Sequence, residues 1–255
     1  MTNIAKLSIG VAGALGPERI ARIAAAVEAA GFHGIWVNDT PGADSLAALA
    51  AAAASTESLV LGTGVVPVDR RPAAQIAAEA AELPQHRLVL GIGSGGTRTG
   101  ILAVMRGAIA DLKRDTDARV MLGALGPKMR RLAATDADGP LLSWLTPQAA
   151  AAQAAEAHDA DHDAHVALYV RAALDPAAVE RLTTEAARYA SYPNYAANFA
   201  RLGFGADQTV VTPGDAAERV AAYRSAVDEV VLRAITPGED DHDYLRFIEQ
   251  AAALL

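Results

Sequence analysis

The sequence predicts an α/β chain folded as a (β/α)8 barrel, and three observations predict it. Eight short apolar runs recur along the 255 residues without polar alternation, as parallel strands covered on both faces do. A helical stretch follows each run. Two of the strand-to-helix turns are glycine-rich, within Arg87-Leu-Val-Leu-Gly-Ile-Gly-Ser-Gly-Gly96 and Val120-Met-Leu-Gly-Ala-Leu-Gly-Pro-Lys-Met129. Glycine lets backbone N–H groups approach an anion, and a helix N-terminus favours negative charge. Two such turns on successive units point to a phosphate-bearing cofactor at one end of a parallel sheet. A doubly wound open sheet is the alternative arrangement of the same elements.

Leu7 to Ala12 reads as the first strand. A helix follows from Pro17, a good first-turn residue, to Ala30, and Gly31 stops it. Gly34 to Val37 is the second strand, with a helix over 43–54, and Leu59 to Thr63 the third, with a helix from Pro72 to Leu83. Arg87 to Leu90 is the fourth, with a helix over 99–113, and Arg119 to Leu122 the fifth, with a short helix over 128–134. Pro140 to Ser143 is the sixth, followed by a helix from Pro147 to Ala157, and Val166 to Arg171 the seventh. Helical stretches over 176–190, 195–202 and 213–226 precede the eighth strand, Glu229 to Arg233, and a last helix runs from Asp241 to Leu254. No linker or low-complexity tail interrupts the series, so residues 1–255 read as one barrel domain.

Composition narrows the function classes. The chain is 52% hydrophobic and 20% charged, ample for a large core. It has no cysteine, which excludes a disulfide framework or thiol nucleophile. A net charge of −8 argues against a general nucleic-acid binder. Met1-Thr-Asn-Ile-Ala-Lys6 has no apolar signal core, and the alanine-rich run from Leu46 to Ser55 is too short to span a membrane. A cytoplasmic protein with neither membrane nor nucleic-acid partners is expected.

Active sites of such barrels lie at the C-terminal strand ends, which ranks the residues that follow a strand. Asp39, in Asn38-Asp-Thr-Pro41, follows the second strand; it can bond a cofactor ring or substrate, or, with Asp44, cap the next helix. Gly62-Thr-Gly-Val-Val-Pro-Val-Asp-Arg-Arg-Pro72 follows the third, and Gly64 there suits an unusual backbone. Gly91-Ile-Gly-Ser-Gly-Gly96 is not a Walker loop, and its Gly-x-Gly-x-x-Gly spacing is common by chance; Ser94 offers a hydroxyl to a phosphate. Arg70, Arg71, Arg98, Lys128, Arg130 and Arg131 accompany these loops, which suits an anionic ligand or a solvated helix face. His158-Asp-Ala-Asp-His-Asp-Ala-His165 has metal-ligand residue types, but it precedes the seventh strand on the opposite end and reads as a solvated helix end; no metal is expected. No serine, histidine and acid gather as a hydrolase triad.

Several stretches together resemble the luciferase-like monooxygenase family, in particular its coenzyme F420-dependent oxidoreductase branch. They are Ala29-Ala-Gly-Phe-His-Gly-Ile-Trp-Val-Asn-Asp39, Leu61 to Pro72, Leu88-Val-Leu-Gly-Ile-Gly-Ser-Gly95, Leu122-Gly-Ala-Leu-Gly-Pro-Lys-Met129, Asp138-Gly-Pro-Leu-Leu-Ser-Trp-Leu-Thr146, Tyr192-Pro-Asn-Tyr195 with Arg201-Leu-Gly-Phe204, and Val227-Asp-Glu-Val-Val-Leu-Arg233. The resemblance implies a TIM barrel of the bacterial luciferase-like type, with shortened insertions, that binds F420 or FMN at its C-terminal strand ends. It implies a non-prolyl cis peptide at Gly64-Val65 backing the central ring, and phosphate contacts at Gly93, Ser94 and Gly95 and at Ala124, Leu125 and Gly126. It also implies a homodimer. The family's acid maps to Asp39. Many F420 members carry a catalytic histidine next, where this chain has Thr40, and a threonine hydroxyl is a poor general acid at neutral pH.

The function expected is hydride transfer between F420 and an organic substrate. Asp39 and Thr40 are the catalytic candidates, and Lys128, Arg131 or Arg70 the partners of an anionic tail. The alternatives are an FMN-dependent monooxygenase using oxygen, a cofactor-binding barrel without turnover, and a phosphate-binding isomerase or aldolase. The last needs a lysine or acid pair at strand ends, and no convincing one is found. Trp144, Tyr192, Tyr195 and Phe199 are pocket-specificity candidates, although Tyr192 to Phe204 reads better as packing on the barrel or a dimer contact.

Overall fold

A computed structural model describes residues 4–255. Met1 to Asn3, part of the segment read as lacking a signal core, lie outside the described residues. The strands are β1 (Lys6–Ala12), β2 (Gly34–Asn38), β3 (Val60–Thr63), β4 (Val66–Pro67), β5 (Leu88–Gly93), β6 (Arg119–Gly123), β7 (Pro140–Ser143), β8 (Ala167–Ala172) and β9 (Glu229–Ala234). All pair in parallel in the order β3-β2-β1-β9-β8-β7-β6-β5, and β3 pairs with β5, which closes a barrel of eight. β4 continues β3 after a bulge at Gly64 and Val65, and pairs with Ile92 and Gly93. The predicted series has no strand at 66–67. It also ends the fourth strand at Leu90, whereas β5 runs on to Gly93. Gly91 and Gly93 are therefore strand residues, not turn residues.

The helices are α1 (Pro17–Ala29), α2 (Ser45–Ala54), α3 (Ala73–Ala80), α4 (Ile101–Asp115), α5 (Pro127–Thr135), α6 (Pro147–Ala160), α7 (Val179–Ser191), α8 (Pro193–Leu202), α9 (Ala216–Arg224) and α10 (Asp241–Ala252). Local chemistry sets their starts. Asp44 accepts from the N–H groups of Leu46 and Ala47 at the start of α2, Thr146 caps α6 ahead of Pro147, and Asp240 caps α10. Among the described residues, no helix is long and apolar enough to cross a membrane.

Side chains alternate in and out along each strand, so the barrel interior fills in layers. Its middle holds Trp36, Val60, Val89, Met121, Leu141, Ala167, Tyr169 and Val231. Trp36 and Tyr169 meet edge to face, 6.1 Å between centroids. The interior is apolar here except at the N-terminal end, where Glu229 is wholly buried. Its carboxylate accepts from Ser8 Oγ at 2.6 Å and Trp36 Nε1 at 2.7 Å, and pairs with His165 Nε2 at 3.0 Å. Burial pushes the Glu229 carboxyl up, but the His165 and Ser8 hydrogen bonds outweigh it and hold it at about 2. The histidine-rich segment before β8 thus supplies His165 to this buried acid and His158 to Asp228, while His162 is exposed.

The main core lies between barrel and helices. A separate apolar cluster sits beyond the C-terminal strand ends, built from Trp144, Ala178, Leu182, Ala186, Phe199 and Ile235 with their neighbours. It seats α7 and α8. Trp144 adopts φ 58°, alone among described non-glycine residues, and this turn carries its ring away from β7 into that cluster.

Candidate cofactor site

The inward parity that fills the barrel leaves one residue per strand at its C-terminal mouth. Ala12, Asn38, Gly64, Gly93, Gly123, Ser143, Arg171 and Arg233 all open on a single cavity of about 790 Å3. That is within the range of cofactor sites. Val65 forms its floor. The Gly64–Val65 peptide is cis, as the resemblance implies. The Val65 side chain lies in the open faces of two glycines: a Cβ at Gly93 would stand 2.6 Å from Val65 Cγ2, and one at Gly123 3.1 Å from Val65 Cγ1. So glycine at 93 is required by packing against the bulge, a reason distinct from approach to a phosphate.

Of the residues singled out in the sequence, Asp39, Thr40, Gly64, Val65, Gly93, Ser94, Gly95, Ala124, Leu125 and Gly126 line this cavity. Lys128 and Arg131 do not; both are exposed on α5. The two glycine loops are not equivalent. After β5, Gly95 takes φ 55° and the Gly96 N–H donates to Asp69 at 2.8 Å, so a carboxylate of the chain already holds this turn. After β6, Gly126 caps α5, and a Cβ there would meet nothing within 4 Å. The start of α5 therefore faces open space, with Leu125 and Gly126 on the cavity wall. Arg201 reaches across from α8 to donate to the Leu125 carbonyl at 3.2 Å and also bonds Asn198.

Asp39 is nearly buried, and its carboxylate is engaged by the chain itself. It pairs with Arg70 at 2.7 Å and Arg71 at 3.7 Å, and accepts from Ser45 Oγ at 2.7 Å and Ser45 N at 3.2 Å. These bonds tie Asp39 to the start of α2, which Asp44 caps, while Asp39 also lines the cavity. Arg70, Arg71 and Arg130, three of the six rim cations, are tied to Asp39, Asp44, Glu79 and Glu156. Thr40 is exposed at the mouth.

Tyr192 to Phe204 departs from its expected role. Asn194, Tyr195, Ala197, Asn198 and Arg201 form one wall of the cavity, with Tyr189 and Arg188 from α7. Phe199 and Trp144 are buried in the cluster behind that wall, and Tyr192 is 44% exposed. Burial pushes the Tyr195 hydroxyl up to about 12 and raises that of Tyr169 further, so both are protonated donors at neutral pH. The Tyr169 hydroxyl has no hydrogen-bond partner among the described residues. Sequence reasoning missed Arg171, Arg233 and Ser143 by ranking only residues after strands. The signal was present: a polar residue at the last inward position of an otherwise apolar strand.

The luciferase-like monooxygenase family model matches residues 5–101. No curated protein matches the sequence significantly. Among solved structures, an F420-dependent secondary alcohol dehydrogenase in complex with an F420–acetone adduct superposes with a TM-score of 0.74 at 16% identity, over 98% of this chain and 99% of that one. The F420-dependent tetrahydromethanopterin reductase of Methanopyrus kandleri gives 0.71 at 16%, over 98% of each chain. A monooxygenase from Streptomyces bottropensis gives 0.72 at 17%, over 98% of each. At these identities the likeness speaks for the fold. Residues 5–101 carry the luciferase-like monooxygenase signature, and the described chain has the (β/α)8 barrel of luciferase-like type.

Proposed function

We propose that the chain is an F420-dependent oxidoreductase that moves a hydride between the deazaflavin and an organic substrate. The observation that carries this is the apolar floor made by Val65 in the open faces of Gly93 and Gly123, at the centre of a polar-rimmed cavity. F420 bound there supplies hydride transfer at its ring. Val65 would back the ring face. Gly126, the start of α5 and Arg201 would hold the phosphate, because a helix N-terminus and a guanidinium lie on that side of the cavity. Asp39 acts by fixing Arg70, Arg71 and the start of α2 at the rim. Lys128 and Arg131, exposed on α5 outside the cavity, are the cations available to a charged tail. α7 and α8 wall the cavity on the side left for substrate.

The alternative is an FMN-dependent monooxygenase using oxygen. The family description and the Streptomyces neighbour favour it. Titration of the purified protein with F420 and with FMN separates the two. Micromolar or tighter binding of F420, with FMN at least tenfold weaker, is expected. The reverse preference replaces F420 with flavin chemistry, and binding of neither sinks both.

A further inference from the structure

We propose that Arg171 and Arg233 form a seat for a carboxylate of the substrate, a deepening that rests on the oxidoreductase reading of the same cavity. The two residues are direct neighbours in register on β8 and β9. They share inward parity with Tyr169 and Val231, so both guanidinium groups enter the cavity floor from adjacent strands.

Each is held in place and left with donors to spare. The Arg171 guanidinium lies over the Trp144 ring at 4.3 Å and the Tyr189 ring at 4.8 Å. It donates through Nη1 to Ser143 Oγ at 2.6 Å and through Nε to Glu185 at 3.3 Å. Arg233 donates through Nε to Asn38 Oδ1 at 2.8 Å and through Nη1 to the Ala234 carbonyl. Among the described residues, Nη2 of neither makes a hydrogen bond, and Arg233 pairs with no carboxylate. A guanidinium has five N–H donors, so each retains an open edge. Tyr169, on the same barrel face one layer below, adds a buried hydroxyl with no partner.

The charge balance is unusual for this chain. It carries −8 overall, yet the floor sets two guanidinium groups against one nearby carboxylate, Glu185. Arg171 is buried and Arg233 half-buried, and a guanidinium withdrawn from water is costly in proportion to its burial unless an anion faces it. Two planar forks beside a neutral hydroxyl suit a carboxylate, which accepts in a plane. On the proposed reading the phosphate end is elsewhere, at α5 and Arg201, whose guanidinium bonds the Leu125 carbonyl. The reacting carbon of the substrate would then be tethered through an acid group seated beside the Val65 floor.

Calorimetric titration at low ionic strength tests this with benzoate, benzamide and inorganic phosphate, on protein without added cofactor. Benzoate is expected to bind, benzamide at least tenfold more weakly. Arg171→Met and Arg233→Met should each weaken benzoate at least tenfold, while F420 or FMN affinity moves less than threefold. Arg171→Met leaves half-buried Glu185 with only the longer Arg188 pair at 3.8 Å and can fail to fold; Arg233→Met, whose side chain has no carboxylate partner among the described residues, then decides alone. Equal binding of benzamide, unchanged benzoate binding by Arg233→Met, or phosphate tenfold tighter than benzoate would each overturn the proposal. So would loss of cofactor affinity in Arg233→Met without benzoate binding by the wild type, which assigns the guanidinium groups to the cofactor. Failure of wild-type protein to bind either cofactor is a separate result, read in its own titration.

Discussion

Gly93→Ala should destabilise the protein before any ligand is added, because the new methyl group would stand 2.6 Å from Val65 Cγ2. Carbon atoms need roughly 3.5–4 Å, so the bulge or β5 must give by about 1 Å. β5 is buried, the bulge half-buried, and the strand that follows the bulge is tied to β5: Val66 pairs with Ile92, and the Val68 N–H donates to the Gly93 carbonyl at 2.9 Å. Overpacking of this kind costs about 1–3 kcal/mol. In a chain of this size that lowers Tm by about 3–9 °C, within reach of thermal unfolding followed by circular dichroism. The decisive comparison is a double-mutant cycle with Val65→Ala. Removing both Cγ groups leaves the new methyl room, so Gly93→Ala should cost almost nothing in the Val65→Ala background. Gly126→Ala is the contrast: its Cβ meets nothing within 4 Å, and only the weaker capping of alanine is felt, about 0.5 kcal/mol. Additive costs for Gly93→Ala and Val65→Ala, or equal losses at Gly93 and Gly126, would refute the packing account of the cavity floor.

Three further outcomes are expected. Glu229, held at about 2 against an ordinary 4.5, contributes stability that is fully present above about pH 4.5 and lost as pH falls toward 2. Glu229→Gln should therefore cost on the order of 3 kcal/mol at pH 7 and progressively less in acid, read from urea midpoints across pH. Arg87 is buried and donates to Thr56 Oγ1 and to the Ala53, Thr56 and Leu59 carbonyls; Arg87→Met should lower stability by about 3 kcal/mol, measured by urea unfolding, with the cavity untouched. Asp39→Ala should cost about 1 kcal/mol through the freed start of α2 and the lost Arg70 pair, while the cofactor dissociation constant shifts by less than the tenfold expected of a direct contact.

The barrel was legible because a parallel strand covered on both faces must be a contiguous apolar run, and each run here has its helix after it. β6 and β7 begin at the residues read for them. The misses have physical causes. Gly91 and Gly93 look like turn residues, yet they extend β5 because the neighbouring Thr63 carbonyl and Val65 side chain leave no room for a Cβ. β4 is too short to show any pattern, being the continuation of β3 past its bulge. Pattern also tells which face of a helix is buried but not what its other face overlooks. That is why α8 reads as packing while Asn194, Asn198 and Arg201 look into the cavity. Lys128 and Arg131 follow the α5 loop in sequence, but helical geometry turns their side chains off the cavity wall, which spacing alone does not tell. Arg171 and Arg233 follow by counting parity forward from Tyr169 and Val231, a step that needs the barrel assignment first.

The apolar cluster behind α7 and α8 has a consequence for how such a molecule can change. The segment from Pro176 to Thr209 packs largely on side chains of its own, and meets the barrel through apolar neighbours such as Trp144, Ala173 and Ile235 and a few polar ties, among them Arg201 to the Leu125 carbonyl and Glu185 to Arg171. Strand pairing and the Val65 floor owe nothing to it. The wall is thus an interchangeable part: a different pair of helices, seated on the same few anchors, could offer the barrel a new clientele while leaving its closure and its glycine-lined mouth as they are.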